Sequence, residues 1–288
     1  MLESLINPKN AEQAPWKMLF IGIIYGGLSL LLVHWFFSGD PALSKASGML
    51  VVLFCLMFSL PFMYFIIKKE ESEDEVTEGF FKIWKIHQRA IYSLLWLFLG
   101  FVIAFSFVHV ILQNDNLLNF QIETYCQINS PSNVDKCVEQ NGFPENPGSS
   151  IGTGAVTKTG RLLMIIENNV FVMIFTLVFS LIFGAGAIFI LIWNASVIAA
   201  AIGIFTKYQL SDIPLGLLRY MIHGIPEIAA YFITALAGGI FGIGILRNGF
   251  QEAKSMRVLE NTIILLFISL VILIVAAVIE VYFTPLLF

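Results

Sequence analysis

Apolar residues in this chain come in long uninterrupted blocks separated by short polar stretches, rather than alternating with polar residues over a few positions. A block of about twenty apolar residues is what an α-helix needs to cross a hydrocarbon core of ~30 Å. Trp16 to Phe37 and Gly48 to Ile67 read as two such spans, joined by the polar turn SGDPALSKAS in an antiparallel hairpin, with Pro61 placed to kink the second. KKEESEDEVTEG follows, two lysines and six acids, a composition that does not enter a bilayer and predicts a solvated loop. In FFKIWKIHQRAI, residues 80 to 91, Phe80, Ile83, Trp84 and Ile91 are set against Lys82, Lys85 and Arg89. That pattern predicts a short helix lying in the headgroup region, with His87 interfacial. A third span runs from Ile91 to Leu112, with His109 solvated near its far end.

Asn114 to Arg161 is the longest polar segment, and a fourth span lies within residues 164 to 193, with Asn194 at its end. Ala195 to Phe205 is apolar for eleven residues only, short for a crossing, and reads as a short or re-entrant segment. Leu210 to His223 reads as an amphipathic helix at the outer surface. Pro226 suits the first turn of a helix, so HGIPE, residues 223 to 227, predicts a break at Gly224 and a new helix from Pro226 that carries Glu227 in its first turn. A kinked but continuous helix is the alternative, and it would place His223 and Glu227 at i and i+4. Thr262 to Phe283 is the last span. The fold class is therefore all-α, a polytopic bundle of seven crossings with interfacial amphipathic helices. It divides into an N-terminal hairpin (1–67), a cytoplasmic acidic loop with its interfacial helix (68–90) and a membrane core (91–288) with an extracytoplasmic loop (114–161).

Composition strengthens this reading: 58% of the 288 residues are apolar and 12% charged, with mean hydropathy +0.84. Soluble domains are nearer ~45–50% apolar. The net charge of -4 offers no basic surface for nucleic acid, and the expected surroundings are the lipid bilayer of the cell membrane. The first apolar run is too long for a signal-peptide core, so the first span is expected to be retained. Lys68, Lys69, Lys82, Lys85 and Arg89 place the acidic loop in the cytoplasm by the positive-inside rule, as Arg247, Lys254 and Arg257 do for the last connection. The 114–161 loop is then outside, where Cys126 and Cys137, eleven residues apart, are expected to form a disulfide worth ~2–3 kcal/mol by loop closure.

In this topology Glu167, Asn168, Asn169, His223, Glu227 and Glu280 share one depth at the extracytoplasmic boundary, with His223 the expected partner of Glu227 and Asn194 a further polar boundary residue. Polar groups at this depth cap helix ends and bond one another, or handle a proton or cation. A metal hydrolase with His223, Glu227 and Glu280 as ligands fits less well, because a single histidine is available. No nucleophile motif or phosphate-cradling glycine loop is present, and neither enzymatic activity nor a metal or cofactor is expected. Gly238, Gly239, Gly242 and Gly244 form a small-residue face, for which Gly184 and Gly186 are expected partners.

The order of Asn168-Asn169, a glycine-bearing span, Asn194, HGIPE, Gly238-Gly239 and IEVYFTP (279–285) resembles the stage II sporulation protein M family over residues 161 to 288. On that likeness the first hairpin looks like an addition. The family member of endospore formers is a polytopic scaffold for cell-wall hydrolases. The resemblance therefore implies a membrane scaffold that docks envelope proteins, its outer loop the docking surface, and a homo-oligomer is a separate expectation. A transporter or channel-like permease, with His223, Glu227 and Glu280 on its path, is the alternative.

Overall fold

The computed structural model describes residues 13–74, 80–112, 117–129, 133–141, 157–183, 187–248 and 253–287, and every regular element among them is helical. The helices are α1 (Lys17–Phe37), α2 (Ser47–Asp74), α3 (Phe80–Leu112), α4 (Asn119–Asn129), α5 (Val134–Asn141), α6 (Lys158–Phe183), α7 (Ile188–Phe205), α8 (Ile213–Asn248), α9 (Ala253–Val278) and α10 (Thr284–Leu287). A π-helical turn, Ile279–Phe283, links the last two. Seven of these rods are long and apolar enough to cross a membrane, the seventh running through the π turn to Leu287. α8 is the most enclosed of the seven and α6 the least. α8 packs against α9, α6, α2, α7 and α3, while α1 lies along α3.

Several predicted boundaries move, for one physical reason. A helix already satisfies its own backbone, so at the edge of the hydrocarbon it can continue into the headgroup zone rather than turn. α8 has 36 residues, ~54 Å at 1.5 Å per residue, well beyond a ~30 Å core. It absorbs both the predicted surface helix at 210–223 and the predicted break, with Pro226 inside it. α3 likewise absorbs the predicted interfacial helix at 80–91. The predicted solvated loop is also partly helix: residues 68 to 74 complete α2, and Glu70 and Glu71 are buried. α6 ends at Phe183, so the short run at 195–205 is the second half of an 18-residue helix that contains Asn194.

Close helix contacts depend on glycine. A Cβ on Gly238 would sit 2.9 Å from Ser180 Cβ, and one on Gly242 would sit 2.8 Å from Leu181 O, both on α6. Gly239 instead faces Ile67 of α2, at 2.8 Å. Gly184 and Gly186, the expected partners, lie outside the described residues. Hydroxyl groups add to the packing: Ser180 donates to Ala235 O, and Ser269 donates to Ala230 O at 2.8 Å and pairs with Thr234 at 2.7 Å.

Outside the bundle, part of the long loop is folded. Cys126 on α4 and Cys137 on α5 are disulfide-bonded, with Cα atoms 5.7 Å apart. Asn119 Nδ2 donates to Lys45 O at 2.7 Å and Gln121 Nε2 to Gly48 O at 3.0 Å, which ties α4 to the α1–α2 turn and to the first turn of α2. In that turn Asp40 Oδ1 accepts from Ala42 N and Leu43 N, and these bonds hold its carboxyl below the usual range. After α7, Lys207 and Tyr208 take left-handed φ values of 50° and 57°. The Tyr208 ring lies over Gly203, where a Cβ would come within 2.9 Å, and its hydroxyl donates to Asn141 O at 2.5 Å. His109, expected to be solvated, is fully buried and meets the Tyr208 ring edge to face at 5.8 Å. Replacing Cys126 and Cys137 together by serine is expected to lower stability by ~2–3 kcal/mol. Thermal unfolding in detergent would show this as a lower Tm with unchanged starting helicity, because the bond links only the two outer helices.

Candidate functional site

A continuous α8 brings four polar side chains into one register. Arg219, His223, Glu227 and Tyr231 recur every four residues and so share a face that descends from the outer end of the helix towards the bundle interior. The Arg219 guanidinium stacks on the Phe205 ring, 4.5 Å from its centroid. His223 Nδ1 pairs with Thr284 Oγ1 at 3.3 Å, and Glu227 Oε1 accepts from the Tyr231 hydroxyl at 3.0 Å. The expected His223 to Glu227 pair is therefore replaced by two separate bonds. Each side chain finds a partner further along a continuous wall, which a helix starting at Pro226 would not provide.

Two other elements face this stripe. Glu280 and Thr284 come from the π turn and the start of α10, and Glu280 lies within electrostatic range of Glu227. Wide π turns inside α-helical rods are uncommon and often mark functional sites. From α6, Asn169 is buried with 4% exposure beside Glu227, and Arg161 is within electrostatic range of both His223 and Glu280. Tyr125 of α4 closes the outer edge through a hydrogen bond to Tyr220. Burial pushes the Tyr125 phenol above its ordinary value.

The structure thus brings His223, Glu227, Glu280 and Asn169 together. It does not include the rest of the predicted set: Glu167 and Asn168 are exposed on α6, and Asn194 lies within α7, bonded to Ile190 O at 2.8 Å. Sequence reasoning missed Arg161, Arg219, Tyr231 and Thr284. The four-residue recurrence from Arg219 to Tyr231 was available as a signal, but only to a reading that carried the helix through Pro226. Among the described residues no three His, Cys, Asp or Glu side chains converge on a metal position, so His223, Glu227 and Glu280 do not form a ligand set.

Tyr231→Phe keeps the ring in its fully buried place and removes only the hydroxyl that Glu227 accepts from. The expected loss is ~1 kcal/mol, the usual net contribution of an intramolecular hydrogen bond. Chemical unfolding in detergent, compared with Tyr25→Phe as a control, measures it.

Seven membrane-length helices, of which α8 is the most enclosed, with polar groups gathered at one end, define a polytopic α-helical membrane protein. The sequence model of the SpoIIM family, stage II sporulation protein M, matches residues 18–285, and the chain belongs to that family. The match includes the first hairpin, which the C-terminal motifs alone had set apart as an addition. No curated protein and no solved structure matches the chain.

Proposed function

We propose that this protein is a membrane platform without catalytic activity of its own, and that the disulfide-linked α4–α5 element is where it docks other envelope proteins. The observation that carries this reading is the way the outer element is held. A disulfide, two amide hydrogen bonds to the α1–α2 turn and the start of α2, and the Tyr208 clasp present a defined surface, on which Phe120 and Ile128 stand exposed. Membership of the SpoIIM family is consistent with such a role.

The test is photo-crosslinking in native membranes, with the probe at Phe120 or Ile128 and a control probe at Ile263 on the exposed face of α9. Discrete protein adducts from the two outer positions, weakened in the Cys126→Ser, Cys137→Ser variant, are expected. Identical adducts from outer and lipid-facing probes, or none from the outer ones, overturn the reading.

A permease is the second reading, favoured by one observation. Among the described residues no cation reaches ion-pair distance of Glu227 or Glu280, although both lie in membrane-length helices. Proteoliposome flux that disappears in a folded Glu227→Gln variant would establish transport, and flux absent from the wild type would remove it.

A further inference from the structure

α6, the least enclosed of the seven membrane-length helices, presents an exposed face that lipid alone serves poorly. From Met164 to Ile182 its exposed residues follow one line, Met164, Asn168, Phe171, Phe175, Val178 and Ile182, in steps of three or four residues. Glu167 and Ile174 stand exposed beside that line. An exposed line that is apolar throughout, such as Ile263, Phe267 and Val271 on α9, suits lipid as it stands. The α6 line differs in carrying Asn168 with Glu167 at its side. Asn168 lies seven residues past Arg161, about 10 Å along the axis, and its side chain is too short to snorkel back over that distance. Glu167 makes no ion pair or hydrogen bond among the described residues. Asn168 spends one N–H on Asn169 Oδ1 at 3.4 Å, a long bond that leaves its own Oδ1 and second N–H open. Polar groups that lipid cannot solvate belong at helix–helix contacts.

We propose that two copies of this chain pair along this face of α6, with Asn168 of each copy hydrogen-bonded to Asn168 of the other. A second copy fits for two reasons. An amide is donor and acceptor at once, so Asn168 complements itself. Copies inserted with the same topology are related by a two-fold axis along the membrane normal, which sets the two α6 helices parallel and brings like residue opposite like. Steps of three and four residues then let the helices lie side by side at a small crossing angle, with Phe171, Phe175, Val178 and Ile182 interleaved beyond the polar pair. A single asparagine in such an apolar seam fixes its register. Glu167 borders the seam and accepts the second N–H of the facing Asn168, in exchange for the long bond to Asn169. The pairing is independent of the α4–α5 docking surface, which lies on other helices.

The test is cysteine crosslinking in native membranes. Cys55 is buried and Cys126 and Cys137 are bonded to each other, so an introduced cysteine is the one accessible thiol of the chain. Phe171→Cys, Phe175→Cys and Val178→Cys are expected to give a disulfide-linked dimer under mild oxidation, and Ile263→Cys on α9 is expected to give none. Energy transfer between labelled copies in proteoliposomes, followed as the lipid-to-protein ratio rises, measures the dimer's affinity. Asn168→Leu is expected to weaken it about tenfold, and Asn168→Gln, which keeps the amide, to retain most of it. No dimer from the α6 positions, crosslinks from them only to other proteins, an equally strong dimer from Ile263→Cys, or an unchanged affinity in Asn168→Leu overturns the proposal. All the substituted residues are exposed, and monodisperse protein of wild-type helicity checks the fold of each variant. Should Asn168→Leu fail that check, the crosslinking pattern decides.

Discussion

Replacing His87 by leucine is expected to destabilise the protein by about 3 kcal/mol, the upper part of the range for leaving a buried polar group without its hydrogen bond. Glu70 near the C-terminal end of α2 is fully buried, and its Oε2 lies 2.7 Å from His87 Nδ1, itself 1% exposed on α3. Removing the imidazole leaves a carboxylate with no water to replace it. The loss is limited because Lys69 Nζ lies 3.2 Å from Glu70 Oε1 and remains a partner for the carboxyl. The paired change Glu70→Leu, His87→Leu removes both groups and should recover most of the loss, since apolar residues can replace a buried pair at little cost. Thermal and denaturant unfolding of the three proteins in one detergent gives the comparison. A His87→Leu cost under ~1 kcal/mol would mean that Glu70 does not depend on the imidazole.

Alanine at Gly22 or Gly100 should cost as much or more. These glycines meet where α1 crosses α3. A Cβ on Gly22 would collide with Leu97 O and lie 3.0 Å from Gly100 Cα, while one on Gly100 would collide with Leu19 O and lie 2.8 Å from Gly22 Cα and 2.9 Å from Ile23 N. The obstacles are backbone atoms of the facing helix, which cannot change rotamer, so one methyl must separate the two helices. Overpacking costs typically ~1–3 kcal/mol and more where nothing can give, and each variant is expected at or above the upper figure. Gly27 is the internal control, because a Cβ there meets nothing within 4 Å, and Gly27→Ala should leave stability unchanged or slightly raised by helix propensity. Equal melting temperatures for Gly22→Ala and Gly27→Ala would show that α1 and α3 do not approach as closely as described.

How far the site could be read in advance depended on one residue. Glu227 and Glu280 stand out as acids within apolar runs, and their common depth followed from counting crossings. Their partners did not follow, because Pro226 favours a helix start in isolation and that assumption hid the register joining Arg219 to Tyr231. In the folded bundle Pro226 is accommodated inside α8, whose other turns are held by neighbouring helices. The same limit applied to the glycines. Gly238 and Gly239 were visible as a pair, yet Gly238 meets α6 while Gly239 sits between α2 and α6, and Gly22 with Gly100 stood as single glycines in separate spans.

Read alone, the sequence determined the helical class, the seven crossings and the separation of membrane from outer segments. Each of these rests on the length and apolarity of a local run, and a bilayer imposes the same requirement on every such run. Tertiary structure alone decided where the long helices stop, that Glu70 pairs with His87 across 17 residues, and that Arg161, Asn169, Glu227 and Glu280 from separate rods share one wall. Those outcomes depend on which helix faces which. That choice is made by backbone approach and by the pairing of polar groups that lipid cannot solvate.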